Sequence, residues 1–274
     1  MTAGFDDWIG RTARATDVVT PQLVQRFRAT LDDSTASEPG TPAPPGIHWC
    51  LAPVAVAASA VGPDGHPQRG LHLPPIGLPR RMWASGQLEF HAPLIVGESV
   101  QRMSRIESIE TKQGRSGELC FVRVMHEWRS GEMLAIREQQ TIVYRGAGGD
   151  TPPNGERRPV PDGTVSRQFV PDEVTLFRYS ALTFNGHRIH YDQPYATKVE
   201  GYSGLVVHGP LQATRLLALA TELGGLPRRF AFRGLRPLIV GDVATLNAHE
   251  TDSGMDLWVS NEAGEETMTA RAEW

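Results

Sequence analysis

Pro93-Leu-Ile-Val-Gly-Glu98 is written twice in this 274-residue chain, the second time as Pro237-Leu-Ile-Val-Gly-Asp242. A Leu-Pro-Arg-Arg tetrapeptide precedes each copy, at 78–81 and at 226–229. Glu110-Thr111 in front of one expected hairpin turn is echoed by Glu250-Thr251 in front of another. Further upstream, Pro21, Val24, Phe27 and Arg28 match Pro171, Val174, Phe177 and Arg178 by type, with small insertions and deletions between the blocks. Self-similarity over this length means two copies of one unit. Each copy has a helical front part followed by an antiparallel sheet, and a sheet with one apolar face needs a helix to cover it. The expected fold class is α+β, with two units side by side, each a sheet wrapped around a long helix.

The elements expected around the repeat fit this plan. Thr20-Pro21 opens a short helix, with Thr20 as N-cap and Leu23, Val24, Phe27 and Leu31 on one face. Strands are expected at 87–95, 99–111, 119–128 and 132–144, joined by hairpin-type connections at 113–117 and 129–132. The segment 146–163 is rich in Pro and Gly and reads as a linker, which divides the chain into units 1–147 and 164–274 with 148–163 between them. In the second unit a helix is expected over 170–181 and strands over 230–238, 243–250, 255–260 and 266–273. The loop 62–79 carries His66, Arg69, Gly70 and His72, and suits either a wall of a binding site or a surface wrap.

The two copies differ at one place. After Phe177-Arg178 the chain continues Tyr-Ser-Ala-Leu-Thr-Phe-Asn-Gly-His-Arg-Ile-His-Tyr-Asp192, which puts Asn185, His187, His190 and Asp192 within eight positions. After Phe27-Arg28 comes Ala-Thr-Leu-Asp-Asp-Ser-Thr35, with no histidine. One half therefore reads as catalytic and the other as having lost its site. Downstream, Gly204-Leu-Val-Val-His-Gly-Pro-Leu-Gln212 opens the most apolar helix of the chain. Gly209 is the expected N-cap, Pro210 the first helical residue, and Gly224-Gly225 the stop. A helix apolar on most sides is buried. Its unpaired N–H groups would face back to the polar cluster, a place suited to a developing oxyanion.

Composition narrows the function. With 40% hydrophobic and 21% charged residues and a net charge of −4, the chain has no signature of a nucleic-acid or membrane-surface binder. No apolar run approaches the roughly 20 residues of a membrane span, and the first residues lack signal-peptide character, so a cytoplasmic location is expected. Cys50 and Cys120 cannot cage a metal by themselves and are expected as buried free thiols. His187-x-x-His190-x-Asp192 has metal-like content, but no distant ligand set accompanies it, so neither metal nor cofactor is expected. The chain has no GxGxxG and no Walker sequence, which excludes nucleotide-driven and hydride-transfer chemistry from the expectation.

The cluster resembles the hydratase motif of the MaoC-like hotdog proteins, Ser-Gly-Asp-x-Asn-Pro-x-His, in the string Thr183-Phe-Asn-Gly-His-Arg-Ile-His190. His190 falls on the family's catalytic His, Asn185 on its catalytic Asp, and Phe184 replaces a Gly. Val207-His-Gly-Pro-Leu-Gln212 falls on the start of the hotdog helix. The longer phrase from Phe177 to Asp192, with Arg80-Arg-Met-Trp-Ala-Ser-Gly-Gln-Leu-Glu-Phe90, is most similar to one branch of that family. The branch holds fungal-synthase-like dehydratases, mesaconyl-C4-CoA hydratases and type 2 hydroxyacyl-thioester dehydratases. The resemblance implies a double hotdog, the two sheets joined edge to edge into one, and addition or removal of water across an α,β-unsaturated acyl-CoA thioester. Mesaconyl-C4-CoA giving citramalyl-CoA is the substrate it implies, although a straight-chain enoyl group suits the residues equally.

The chemistry needs a base for water, a proton for Cα, and a donor for the thioester oxygen. His190 suits the proton shuttle and the Gly209 N–H the oxyanion. Asn185 can orient water but cannot exchange a proton, and it could instead only cap a turn. The two can converge only if 184–189 is a loop, which Gly186 would permit. Arg178, Arg188, His208 and Pro210 are candidates for binding the acyl-CoA, with structural roles as the alternative for Arg178 and His208 and a plain surface arginine as the alternative for Arg188. A hotdog thioesterase and a non-catalytic acyl-CoA-binding protein are the competing functions. A homodimer is compatible with the plan, though two units in one chain already form the minimal pair.

Overall fold

The computed structural model describes residues 4–114, 117–146 and 159–274. Most of the expected linker, like the tip of the first hairpin, lies outside these described residues. The first half supplies β1 (Thr12–Val18), α1 (Pro21–Thr30), β2 (Arg80–Phe90), β3 (Ser99–Gly114), β4 (Gly117–Ser130) and β5 (Met133–Arg145). The second half supplies β6 (Val165–Phe169), α2 (Glu173–Thr183), α3 (Gly209–Gly224), β7 (Arg229–Gly234), β8 (Ala244–Thr251), β9 (Gly254–Ser260) and β10 (Glu266–Glu273).

All ten strands form one sheet in the order β1-β3-β4-β5-β2-β7-β10-β9-β8-β6. The halves meet where β2 pairs antiparallel with β7, in the register Ser85↔Arg233 and Leu88↔Phe230. Read outward from this seam the two halves have the same connectivity, so the repeated sequence is a repeated structure. The duplicated blocks occupy equivalent places. Gly97 and Gly241 both have left-handed φ, +94 and +90. Their N–H groups donate to Val19 O at 2.8 Å and Pro171 O at 3.1 Å, each acceptor just before a helix. Leu94 and Leu238 are both buried. A turn that must fold back under the sheet at positive φ accounts for the shared Gly.

The expected caps are present. Thr20 Oγ1 accepts from Leu23 N–H at 3.1 Å, and Asp172 caps α2 by accepting from Thr175 N–H at 2.7 Å. Helix α3 buries Leu211, Ala213, Leu216, Leu217 and Ala220, and packs against β7–β10 as well as β2. One core cluster runs through both halves, from Val24 and Phe27 through Leu51 and Leu88 to Leu176, Leu216 and Phe230. Cys50 and Cys120 are free and buried, and burial pushes the Cys50 thiol up to about 12. Among the described residues no helix is long and apolar enough to cross a membrane.

Two sequence expectations need correction. The first half was expected to wrap its sheet around a long helix, but between α1 and β2 there are only 3₁₀ turns, at Ile47–Cys50 and Ala58–Ala60. Prolines recur through 39–79, and a helix interior cannot hold them. The edge strands β1 and β6 were not expected at all. Their residues are mostly exposed, so they carry no inward-facing apolar alternation.

Candidate active site

The site is built where α2 ends. Phe184 closes the helix in the left-handed region at φ 51. Asn185 N–H then donates to Ser180 O at 2.9 Å. The Asn185 Oδ1 accepts from His187 N–H at 3.0 Å, so this side chain shapes the turn, the alternative role foreseen for it. A short 3₁₀ turn, Arg188–His190, then carries His190 inward. The residue with the unusual backbone is Phe184 rather than Gly186. Gly186 is needed for a different reason, since a Cβ there would lie 2.5 Å from Gly65 O. In the reverse direction, a Cβ on Gly65 would lie 1.8 Å from Gly186 O. The loop 62–66 of the first half therefore rests its backbone directly on the loop of the second. Arg188 fastens them, with its N–H on Asp64 O at 2.9 Å and its Nη1 on Pro63 O at 3.0 Å.

That contact assembles four imidazoles. The rings of His66 and His187 are 4.2 Å apart, those of His187 and His190 5.5 Å, and His190 stacks on His208 at 3.6 Å. His190 Nδ1 lies 2.7 Å from Val206 O. A carbonyl can only accept, so Nδ1 carries the proton and Nε2 keeps the basic lone pair. His208 Nε2 is held by Ser180 Oγ at 2.8 Å. At the other end Asp64 Oδ2 faces His66 Nδ1 at 3.2 Å, and Arg81 Nη2 is 3.8 Å from the same oxygen. Burial dominates the titration of the imidazoles. It lowers His190 to about 4 despite the Val206 carbonyl, His187 to about 2, and His208 well below its ordinary value. Burial works to raise Asp64, but hydrogen bonds from His66 and the charge of Arg81 outweigh it and hold the carboxyl well below its usual range.

The oxyanion position lies next in the chain. The N-cap of α3 is His208, one residue earlier than expected, so Gly209 is the first helical residue. Its N–H has no intrahelical acceptor and sits at the positive end of the helix dipole. A Cβ on Gly209 would come within 3.2 Å of the Trp83 ring from β2. Trp83 stacks on Phe232 at 4.4 Å and meets Trp49 edge-on at 5.6 Å. An aromatic wall drawn from both halves thus borders the helix start. Trp49 is fixed in turn by Nε1 donating to Glu138 Oε1 at 2.8 Å.

The other residues singled out in the sequence fall less centrally. Arg178 is exposed on α2. Arg188 spends Nε and Nη2 on Asp192 Oδ2, at 2.9 and 2.7 Å, and lies over the Tyr195 ring. Pro210 is the second residue of α3, and its carbonyl accepts from Thr214 at 2.7 Å. The parallel Arg28 forms an ion pair with Asp33. Asp64 and Trp83 were not recognised as site residues, and His66 only as part of a loop suited to either a binding-site wall or a surface wrap, because nothing in sequence spacing links positions 64–83 to 185–209. Metal-ligating atoms of Asp64, His66 and His187 lie within 4.8 Å of one another, the one such grouping among the described residues.

A double hotdog that sets a buried imidazole beside a helix start offers the base and the oxyanion donor that water addition at an acyl thioester needs. The chain belongs to the hydroxyacyl-thioester dehydratase type 2 family, whose model matches residues 46–240. It is 42% identical to mesaconyl-C(4)-CoA hydratase of Chloroflexus aurantiacus, across 99% of this chain and 98% of that protein. It is 30% identical to the mitochondrial hydroxyacyl-thioester dehydratase type 2 of Schizosaccharomyces pombe, over 78% of this chain and 79% of the relative. A Mycobacterium tuberculosis protein solved as a double hotdog aligns with a TM-score of 0.63 over 98% of this chain and 96% of its own, at 15% identity, which is a likeness of fold. The chain is an acyl-CoA hydratase or dehydratase.

Proposed function

We propose that the enzyme adds water to a short, branched, carboxylate-bearing enoyl-CoA of the mesaconyl-C4-CoA type, with His190 as base and the Gly209 N–H as oxyanion donor. The substrate is that of the 42%-identical relative. The observation that carries the catalytic assignment is the His190 Nδ1 bond to Val206 O at 2.7 Å, which leaves Nε2 as the basic atom one stacked ring away from the start of α3. Nε2 takes a proton from water while the water oxygen bonds to Cβ. The π pair moves toward the thioester oxygen, where the Gly209 N–H and the dipole of α3 stabilise it. Asn185 shapes the turn and offers its amide N–H₂ to the water. His208 packs under His190 and fixes the ring plane. Arg188 clamps the loop rather than the substrate, while the exposed Arg178 and, in the first turn of α3, Pro210 serve as contacts for the CoA portion. Thioesterase chemistry is the weaker reading, because the position a carboxylate would fill is Asn185, whose oxygen is already committed to His187 N–H.

We further propose two structural units, 1–147 and 164–274 joined by 148–163, a cytoplasmic location, and assembly as a homodimer. The function is tested by incubating the protein with a panel of enoyl-CoA and 3-hydroxyacyl-CoA esters while following both water addition and CoA release. Hydration of mesaconyl-C4-CoA without CoA release is expected. Release of CoA without hydration would establish the thioesterase instead.

A further inference from the structure

Hydration of an enoyl thioester moves one proton twice, off the water and onto Cα. His190 can do the first. Its Nδ1 is tied to a carbonyl, so Nε2 is its single exchangeable position. Asn185 cannot exchange a proton, and its oxygen is occupied. His208 is sealed, with no exposure and Nε2 on Ser180. His187 is buried and, among the described residues, has no carboxylate hydrogen-bonded to it. The remaining imidazole near His190 is His66, which comes from the half without the sequence motif.

His66 differs from the other three in having a carboxylate partner. Asp64 Oδ2 faces Nδ1 at 3.2 Å, and Asp64 Oδ1 accepts from His66 N–H at 3.1 Å. This orients the ring, leaves Nε2 as the exchanging atom, and supplies a negative charge to stabilise the imidazolium. His66 is also the partly open end of the row, with a side chain 23% exposed against 18% for Asp64. Its place is built into the backbone. Gly65 and Gly186 permit an approach that a Cβ on either would block, and Arg188 N–H holds Asp64 O. A surface wrap would not need two glycines in direct opposition and a hydrogen bond across 124 residues of sequence.

We propose that Asp64 and His66 are the second acid–base group of the active site, contributed by the half that carries no catalytic motif. The inference rests on the hydratase reading above. The proton taken from water by His190 Nε2 reaches His66 through water in the site, and there Asp64 stabilises the cation. His66 then delivers it to Cα as the enolate collapses. One O–H bond and the C=C π bond break, one C–O and one C–H bond form, and every imidazole returns to its neutral state. In dehydration the same steps run backward, with His66 removing the Cα proton.

The test uses the full-length protein and the variants His66→Gln and Asp64→Asn, with thermal unfolding measured alongside. His66→Gln should lower kcat by roughly 10²–10³-fold with KM little changed. Imidazole added to His66→Gly should restore part of that rate, which a merely structural role would not do. Asp64→Asn should lower kcat less and shift its pH profile, since the imidazolium loses its counter-charge. A folded His66→Gln protein with kcat within about threefold of the wild type would overturn the proposal. If that variant fails to fold, an Asp64→Asn enzyme with unaltered kcat and pH profile would do the same. So would loss of wild-type activity on dialysis against a chelator with recovery on added zinc, because Asp64, His66 and His187 would then be metal ligands. A wild type that hydrates no enoyl-CoA would refute the hydratase reading itself, whereas an active wild type with an active His66→Gln refutes this inference alone.

Discussion

At His190 the sequence and the structure agree on identity and differ on setting. The spacing of Asn185, His187 and His190 marked the polar loop, and Gly209-Pro210 marked the helix start within one residue. Which imidazole nitrogen is basic could not be read, because it depends on Val206 O, sixteen residues away in sequence. His190 is buried and lowered to about 4, so it stays neutral and competent as a base well below its ordinary value. The acid limb of kcat/KM should accordingly fall near pH 4–5 rather than near 6.5, provided the fold persists; a pH–rate profile checks this. Asn185→Asp places a carboxylate beside the row and favours the imidazolium, so it should move that limb upward while leaving the enzyme folded and partly active. An unchanged limb would mean that position 185 does not face the base. At Gly209 the neighbour is Trp83, 3.2 Å from a would-be Cβ. Gly209→Val should crowd the oxyanion position and reduce turnover at least tenfold, with a smaller effect on thermal unfolding; normal turnover would remove Gly209 from the mechanism.

Among the elements, the strands of the two β-meanders and both capped helices were legible because their periodicity and cap residues are local. The contact between loops 62–66 and 184–187 was not, since a close backbone approach leaves no mark beyond two glycines. It is also where substitution should be least tolerated. Gly65 has φ +88, and its Cβ would meet Gly186 O at 1.8 Å. Left-handed backbone alone costs a non-Gly residue roughly 1–2 kcal/mol, and the clash adds to it. Gly65→Ala should therefore lower the unfolding midpoint and turnover together, because His66 and His187 separate when the loops part. Gly10, whose Cβ would meet nothing although its φ is +83, provides the control. Gly10→Ala should show the backbone cost alone, with turnover retained. Equal losses of turnover in the two variants would contradict the view that loop docking assembles the site.

At the scale of the whole molecule, the repeat predicted two equivalent units. The structure keeps the equivalence in the sheet and drops it in the first half's central helix, where proline-rich loop reaches over to the other unit's site. Both halves bury titratable groups, and this sets the pH dependence of stability. His48 is lowered to about 3, His187 to about 2 and His190 to about 4, all through burial. Below about pH 6.5 the unfolded chain protonates these residues while the folded protein does not, so their contribution is complete above that value and lost as pH falls toward the folded values. Glu138 acts oppositely. Burial raises it to about 6, so it favours the fold below its unfolded value of 4.5 and loses that contribution as pH rises through 6. With His126 also lowered to about 3 by burial, four histidines outweigh one glutamate, each at up to about 1.4 kcal/mol per pH unit, so urea unfolding should show stability falling from pH 6.5 to 5. A flat profile would mean these rings are already charged or exposed. The central claim is that water is added to an acyl-CoA at His190, and the most direct measurement is the hydration rate of mesaconyl-C4-CoA by the wild type and by a folded His190→Ala variant. The expected result is hydration by the wild type and a loss of roughly 10²–10⁴-fold in the variant. Equal rates in the two proteins would contradict it.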